Sequence, residues 1–316
     1  MTIDAPSTRS GLSVERWFTR RGWADVVIAT PYVWLLVFFM LPFLIVLAMS
    51  FGSASPTAPP FSFDGQYPLV NVAGYARLAS DDLYIRACLT SVSTAALATV
   101  LCLLIGYPMA LGLTRVSRAW RSVLLMLVIL PFWTSFLLRV YAWMGLKGSN
   151  SWFNQPVTSA YNLLMPTDWA LKSIPMMNSN FAVILVTVYS YLQFMILPLY
   201  ANLEKLDRTL EKAAMDLGSR PFRVFLDVTL PLSLPGIIAG GLLVFIPASG
   251  ELIIPSLVGD AASPMNGRVI AVEFSSARDW SMASVVAVAL LVLLVVPMMA
   301  NSYFETRAQA KKADQP

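Results

Sequence analysis

The amino-acid sequence predicts an all-α, polytopic membrane protein with six membrane-crossing helices. Three observations carry that reading. Apolar residues make up 57% of the 316 positions and charged residues only 13%, where an ordinary soluble domain has about 25% charged. Mean hydropathy is +0.66, more apolar surface than a water-soluble globule of this size hides. Six stretches reach the roughly 20 mostly apolar residues that a membrane crossing needs.

The first stretch runs from Val26 to Phe51, with no charge between Asp25 and Asp64. Its length, about 25 residues, exceeds the roughly 7–15 of a cleavable signal core, so it is expected to stay as a span. The second runs from Ala87 to Thr114, free of charge between Arg86 and Arg115. The third runs from Ser122 to Leu146 and is interrupted by Arg139. The fourth runs from Phe181 to Leu203, the fifth from Leu232 to Val258 with Glu251 inside it, and the sixth from Met282 to Phe304.

Orientation follows from the loops. Six spans put both termini on one side. That side carries fifteen of the 22 lysines and arginines, in the N-terminal segment, the second-to-third loop, the fourth-to-fifth loop and the tail. Both termini are therefore expected in the cytoplasm. The formal charge of +4 tracks topology and requires no nucleic acid. Trp17, Phe18 and Trp23, interleaved with Arg16, Arg20 and Arg21, suit an interfacial helix over 9–25. Residues 52–80 read as an outer loop without helical period. Segment 147–180, with Trp152, Phe153, Tyr161 and Trp169, reads as packed or interfacial, and 259–281 as a third outer segment. The expected division is a 1–25 N-terminal segment, a 26–304 transmembrane domain and a 305–316 tail.

Composition also excludes chemistry. Histidine is absent, which removes the commonest general base, metal ligand and partner of a nucleophile. Cys88 and Cys102, fourteen apart on one helix, stand about 21 Å apart, too far for a disulfide. A Walker A pattern is missing, so ATP is not bound by that route. No catalytic or metal-binding residues are expected.

The loop from 204 to 231 carries the most information. Leu206, Leu210, Ala213 or Ala214, and Leu217 recur at helical spacing. Asp207 is a candidate N-cap and Glu211 lies in the first turn, where the helix dipole favours negative charge. Gly218 suits the left-handed position past a helix end, and Pro221 prevents continuation. A helix of about ten residues is too short to stand alone in water, so it packs on its own bundle or on a partner.

This segment resembles the "EAA loop" of ABC-importer permeases. It reads Glu211-Lys-Ala213-Ala214-Met-Asp216-Leu-Gly218, then nine residues, then Val228-Thr-Leu230-Pro231. One extra residue after the glutamate, and valine where isoleucine is commoner, are its departures. The resemblance implies a type I ABC-importer permease fold. It also implies that Glu211, Ala213, Ala214, Asp216, Gly218, Leu230 and Pro231 couple the spans to a cytoplasmic ATPase. The likeness extends over about 26–304. Leu130-Pro-Phe-Trp133-Thr-Ser-Phe-Leu-Leu-Arg139-Val-Tyr141-Ala-Trp143 and Phe245-Ile-Pro-Ala-Ser-Gly250-Glu251-Leu-Ile-Ile254-Pro255 are similar to the spermidine/putrescine group, most of all to its putrescine-type subunit. Ser256 stands where an acidic residue often follows that proline, which leaves the substrate open. Permeases for ferric ion, thiamine or aminophosphonate remain alternatives.

The partners implied are a second permease subunit, an ABC ATPase dimer that binds ATP and Mg, a periplasmic substrate-binding protein, a small cationic substrate and membrane lipid. The implied location is the bacterial inner membrane. An ion-coupled carrier would want inverted repeats and acidic or histidine relays inside the membrane. A membrane enzyme would want clustered ionisable groups at one depth. Neither pattern is present in the sequence.

Two charges fall inside spans. Glu251, flanked by Pro247, Gly250 and Pro255, has two readings: contact with a substrate ammonium, or an internal role as a pair with Arg139 or a hydrogen-bonded carboxyl. Arg139 reads as a gate or pairing residue, or as an interface snorkel. Trp133, Tyr141 and Trp143 offer cation–π faces or sit as lipid-belt and core aromatics, and Tyr189 and Tyr191 share those readings.

Overall fold

The computed structural model describes residues 25–57, 59–63, 71–148, 151–164, 178–260 and 263–313. The interfacial helix expected over 9–25 and the aromatic Trp169 lie outside the described residues. Among the described residues four single helices are long and apolar enough to cross a membrane: α1 (Asp25–Met49), α3 (Asp82–Arg115), α7 (Asn180–Leu203) and α9 (Pro221–Ser249). They match the first, second, fourth and fifth stretches. The sixth falls on α12 (Trp280–Ala313), which continues without a break past Phe304, where the tail was expected to begin.

The third stretch is not one rod. Helices α4 (Arg118–Trp133) and α5 (Phe136–Lys147) meet at 90°. Pro131 lacks the amide a continuous helix needs. The chain tightens into a 3-10 turn over Leu130–Trp133, and Thr134 is extended, its hydroxyl donating to the Pro131 carbonyl at 2.8 Å. The fifth stretch also breaks. Helix α9 ends at Ser249, and the short α10 (Ile253–Val258) restarts after Glu251.

Helices α3, α7 and α9 form the core by packing on one another. The pattern inverts that of a soluble bundle. The buried face of α3 is small: Ala87, Ser91, Ala95, Ala98, Cys102, Gly106 and Ala110 recur at three- and four-residue spacing, while Leu89, Leu97 and Leu104 face outward. Small residues allow close backbone approach where lipid removes any hydrophobic drive between helices. The α7–α9 seam shows it most sharply. A β-carbon on Gly236 would lie 2.7 Å from that of Asn202, and one on Gly240 3.1 Å from the Met195 carbonyl oxygen. These glycines form a G-x-x-x-G pair.

The connecting segments hold structure that periodicity did not reveal. Residues 52–80 contain a two-residue hairpin, β1 (Ser53–Ala54) with β2 (Phe61–Ser62), and helix α2 (Ala73–Ser80). Helix α6 (Asn154–Leu164) follows the third stretch, and α11 (Asn266–Ser275) lies in the third outer segment. These helices are short and are held by tertiary contacts: Tyr75 bonds Ser50 at 2.8 Å, and the Asn266 amide donates to Ser91 Oγ at 2.7 Å. A second cluster, Tyr84, Ala87, Val269, Met282, Val285 and Val286, joins α3, α11 and α12. The two cysteines are free.

Candidate functional site

Two places concentrate the polar chemistry. One is the break after α9. Gly250 ends the helix, and Glu251 is 8% exposed. Its Oε2 accepts a short hydrogen bond from the Tyr191 hydroxyl of α7, and its Oε1 accepts the amides of Ile253 at 2.9 Å and Ile254 at 3.5 Å. The carboxylate thus caps α10, supplying acceptors for amides that have no partner within the helix, and ties the break to the core. Helix α11 closes over the same backbone. A β-carbon on Gly267 would lie 2.5 Å from the Glu251 carbonyl oxygen, so only glycine fits there.

The pair with Arg139 is not formed: among the described residues no ion pair joins Arg139 to Glu251. Helix α5 packs on α10, and Arg139 lies within electrostatic reach of Tyr191. Its Nε and Nη1 are buried without a hydrogen-bond partner among the described residues, and its guanidinium carbon sits 5.6 Å from the Phe136 ring centroid. Trp143 stacks edge-on against Tyr189 at 5.4 Å. Trp133 and Tyr141 are exposed and stand outside the Glu251–Tyr191 hydrogen bonds. Tyr191, read from sequence as one aromatic among several, is the residue that holds Glu251. Their separation of 60 positions hides that pairing from any local pattern.

The second place is the loop between α7 and α9. Helix α8 (Arg208–Asp216) begins at Asp207, whose Oδ1 accepts the Thr209 amide at 2.9 Å. That bond holds the Asp207 carboxyl below its ordinary range. The helix ends in a Schellman motif: the Ser219 amide reaches the Ala214 carbonyl, and the Gly218 amide reaches that of Met215, with Gly218 at φ +86°. A π-turn over Phe225–Thr229 precedes Leu230 and Pro231, which open the following α-helical run. It sets the Thr229 hydroxyl to donate to Glu211 Oε1 at 2.9 Å.

The loop is anchored to the bundle through the end of α3. The Thr114 carbonyl accepts a short bond from Arg208 and a 3.1 Å bond from Arg121, and Arg121 also pairs with Glu204 at 2.7 Å. Cations suit that helix terminus, where the dipole is negative. Leu206 packs on the core, and Ala214 is half-buried. Leu210, Ala213, Asp216, Leu217 and Phe222 are exposed. The helix thus rests on the bundle by its polar contacts and leaves most of its apolar side uncovered.

Comparison with known proteins agrees with this architecture. Residues 16–309 match the family described as binding-protein-dependent transport system inner membrane component. The chain is 38% identical over 280 residues to the spermidine/putrescine transport system permease protein PotB of Haemophilus influenzae, covering 86% of this chain and 90% of that one. It is 35% identical over 271 residues to PotB of Escherichia coli, covering 85% and 92%. The inner membrane ABC transporter permease protein YdcU of Escherichia coli matches over 200 residues at 34%, covering 60% of this chain and 61% of that one. Among solved structures, a chain of a bacterial ABC transporter that imports alginate superposes with a TM-score of 0.62 at 17% identity, covering 93% of this chain and 99% of its own. The chain therefore belongs to the family of inner-membrane components of binding-protein-dependent transport systems: it is a multi-pass ABC transporter permease and not an enzyme.

Proposed function

We propose that this permease carries a polyamine, putrescine or spermidine, across the bacterial inner membrane by alternating access. The observation that carries the substrate reading is the likeness to PotB along nine-tenths of that relative's length. The chemistry of the break supports it. A carboxylate has about four lone-pair positions, and Glu251 uses three on Tyr191, Ile253 and Ile254. One position is left for a substrate ammonium. Trp133, Tyr141 and Trp143 supply aromatic faces along the pathway, and Arg139 sets a positive barrier that a cation passes only when the helices around the break rearrange.

In this reading both termini are cytoplasmic and loop 204–231 faces the cytoplasm. Its exposed face, around Leu210, Ala213 and Leu217, docks on an ABC ATPase dimer, which binds ATP and Mg. Glu211, Ala214, Asp216 and Gly218 shape that docking helix, and Leu230 and Pro231, just past the π-turn of α9, pass its movement along the rest of α9. A second permease subunit completes the pathway, and a periplasmic binding protein delivers the substrate. The chain contributes no covalent chemistry. Uptake of labelled putrescine and spermidine by proteoliposomes holding the whole complex tests the substrate. Saturable, ATP-dependent uptake of either one is expected. Uptake of neither, with ATP-dependent import of ferric ion, thiamine or an aminophosphonate instead, refutes it.

A further inference from the structure

The two charges inside the spans, Arg139 and Glu251, are opposite in sign. Each sits beside a break. Arg139 lies one turn into α5, past the 90° bend with α4, and Glu251 lies between α9 and α10. The two short segments, α5 and α10, pack on each other. Each is joined to its long neighbour by backbone that is not helical: Thr134 is extended at the first break, and residues 250–252 interrupt the helix at the second. Both charges are thus carried on jointed pieces of a span.

The two differ in how well they are satisfied. Glu251 gives acceptor positions to Tyr191, Ile253 and Ile254 and keeps one. Arg139 has no such set. Its Nε and Nη1 are buried, and among the described residues no acceptor reaches either. Phe136 offers only its ring, 5.6 Å from the guanidinium carbon. Charged donors left unpaired away from water are costly, and an orphaned buried donor in a folded protein calls for a reason. The reason lies close by: Tyr191, which holds Glu251, is within electrostatic reach of Arg139.

We infer that Arg139 is the resident counter-cation of Glu251: in the empty pathway its guanidinium takes the one free acceptor position on the carboxylate, the position a substrate ammonium needs, so pairing and substrate binding exclude each other. The inference deepens the importer reading above and rests on it for the substrate. In this structure the position is open and the guanidinium unpaired, the arrangement from which either cation enters. A swing of α5 on α10 makes the pair. The exchange matches the carboxylate with a cation in the empty and in the loaded pathway, and the returning guanidinium displaces the substrate. Pairing also sets apparent affinity: if nine-tenths of empty sites are paired, affinity falls about tenfold.

Two measurements on the solubilised whole complex, without binding protein, test this. The first is binding of labelled putrescine. Arg139→Gln is expected to lower the half-saturating concentration about tenfold. Arg139→Lys supplies the charge without the fork and is expected to stay near wild type. The second is a double-mutant cycle of Arg139→Gln and Glu251→Gln, read as melting temperature. Non-additive losses are expected in the substrate-free complex, and saturating putrescine is expected to abolish that coupling. Additive losses in the empty complex overturn the inference, as does weaker or unchanged putrescine binding in Arg139→Gln. A wild-type complex that binds neither putrescine nor spermidine, yet shows the coupling when empty, would instead strike the polyamine reading and leave the pair standing, which keeps the two failures apart.

Discussion

Replacing Gly236 by alanine puts a methyl group where none fits. Its β-carbon would lie 2.7 Å from Asn202 Cβ, 3.1 Å from Asn202 Cγ and 3.3 Å from the Pro198 carbonyl oxygen. Relaxed contact begins at 3.4 Å, so α7 and α9 must part by about 0.7 Å. Overpacking of this kind costs about 1–3 kcal/mol. Alanine regains about 1 kcal/mol of helix propensity, leaving a net loss of up to about 2 kcal/mol. Gly240→Ala meets the Met195 sulfur at 2.9 Å, which can swing away, and the Met195 carbonyl at 3.1 Å, which cannot. Its expected loss is smaller, about 1 kcal/mol. Gly241 is the internal control: its nearest neighbour would be Thr99 Cγ2 at 3.8 Å, an ordinary contact. Gly241→Ala is therefore expected to be neutral or slightly stabilising. A thermal melt read by a thiol-reactive dye suits this chain, because Cys102 is buried and free. The expected order of melting temperature is Gly241→Ala highest, then Gly240→Ala, then Gly236→Ala. Equal losses at Gly236 and Gly241 would refute the close-packing argument.

Three further outcomes follow. Glu251→Gln keeps the size of the side chain and an oxygen for the Ile253 amide but removes the charge; polyamine uptake is expected to fall at least tenfold with complex assembly intact, and unchanged uptake would sink the substrate contact. Gly218→Ala meets no atom within 4 Å, so only its φ of +86° matters. A cost of about 1 kcal/mol at the end of α8 is expected, read as faster amide exchange at Gly218 and Ser219, and unaltered exchange would contradict it. Asp207 titrates below its ordinary value of 3.8 because the Thr209 amide bonds its charged form. A depressed folded pKa means the cap stabilises α8 fully above the unfolded value, and that the contribution is lost as pH falls below 3.8 through the folded one. Amide exchange at Thr209 should report that loss in the wild type and not in Asp207→Asn, whose cap does not titrate.

Much of the fold was legible because lipid leaves a strong mark on sequence. A run of apolar residues free of charge has few alternatives to a helix, so the first, second and fourth stretches fall on single helices close to their expected bounds, while the fifth breaks at Ser249 and the sixth runs on to Ala313. The loop helix was legible for a different reason: Asp207, Gly218 and Pro221 are local signals, and each acts within a turn of its own position. Where the account ran short, the cause was distance. The bend at Pro131 was not read from the sequence, where 122–146 stood as one span, and its 90° angle depends on what the two halves pack against. Helix α11 carries little apolar period because Asn266, Gly267 and Val269 are buried against separate neighbours. The Gly236–Gly240 pair was not singled out from the sequence, because its meaning lies in Asn202 and Met195 across the seam. Glu251 was found from its cost in a membrane, while Tyr191, its partner, carried no mark of its own.

The central claim is that loop 204–231 couples ATP hydrolysis by partner subunits to polyamine movement through this chain. Glu211 joins the two halves of that loop through Thr229 at 2.9 Å. The most direct measurement is the ratio of polyamine imported to ATP hydrolysed in proteoliposomes, for wild type, Glu211→Ala and Thr229→Val. The account predicts that the ratio falls in both variants, further in Glu211→Ala, while the complex stays assembled. Full-rate import at an unchanged ratio in Glu211→Ala would contradict it.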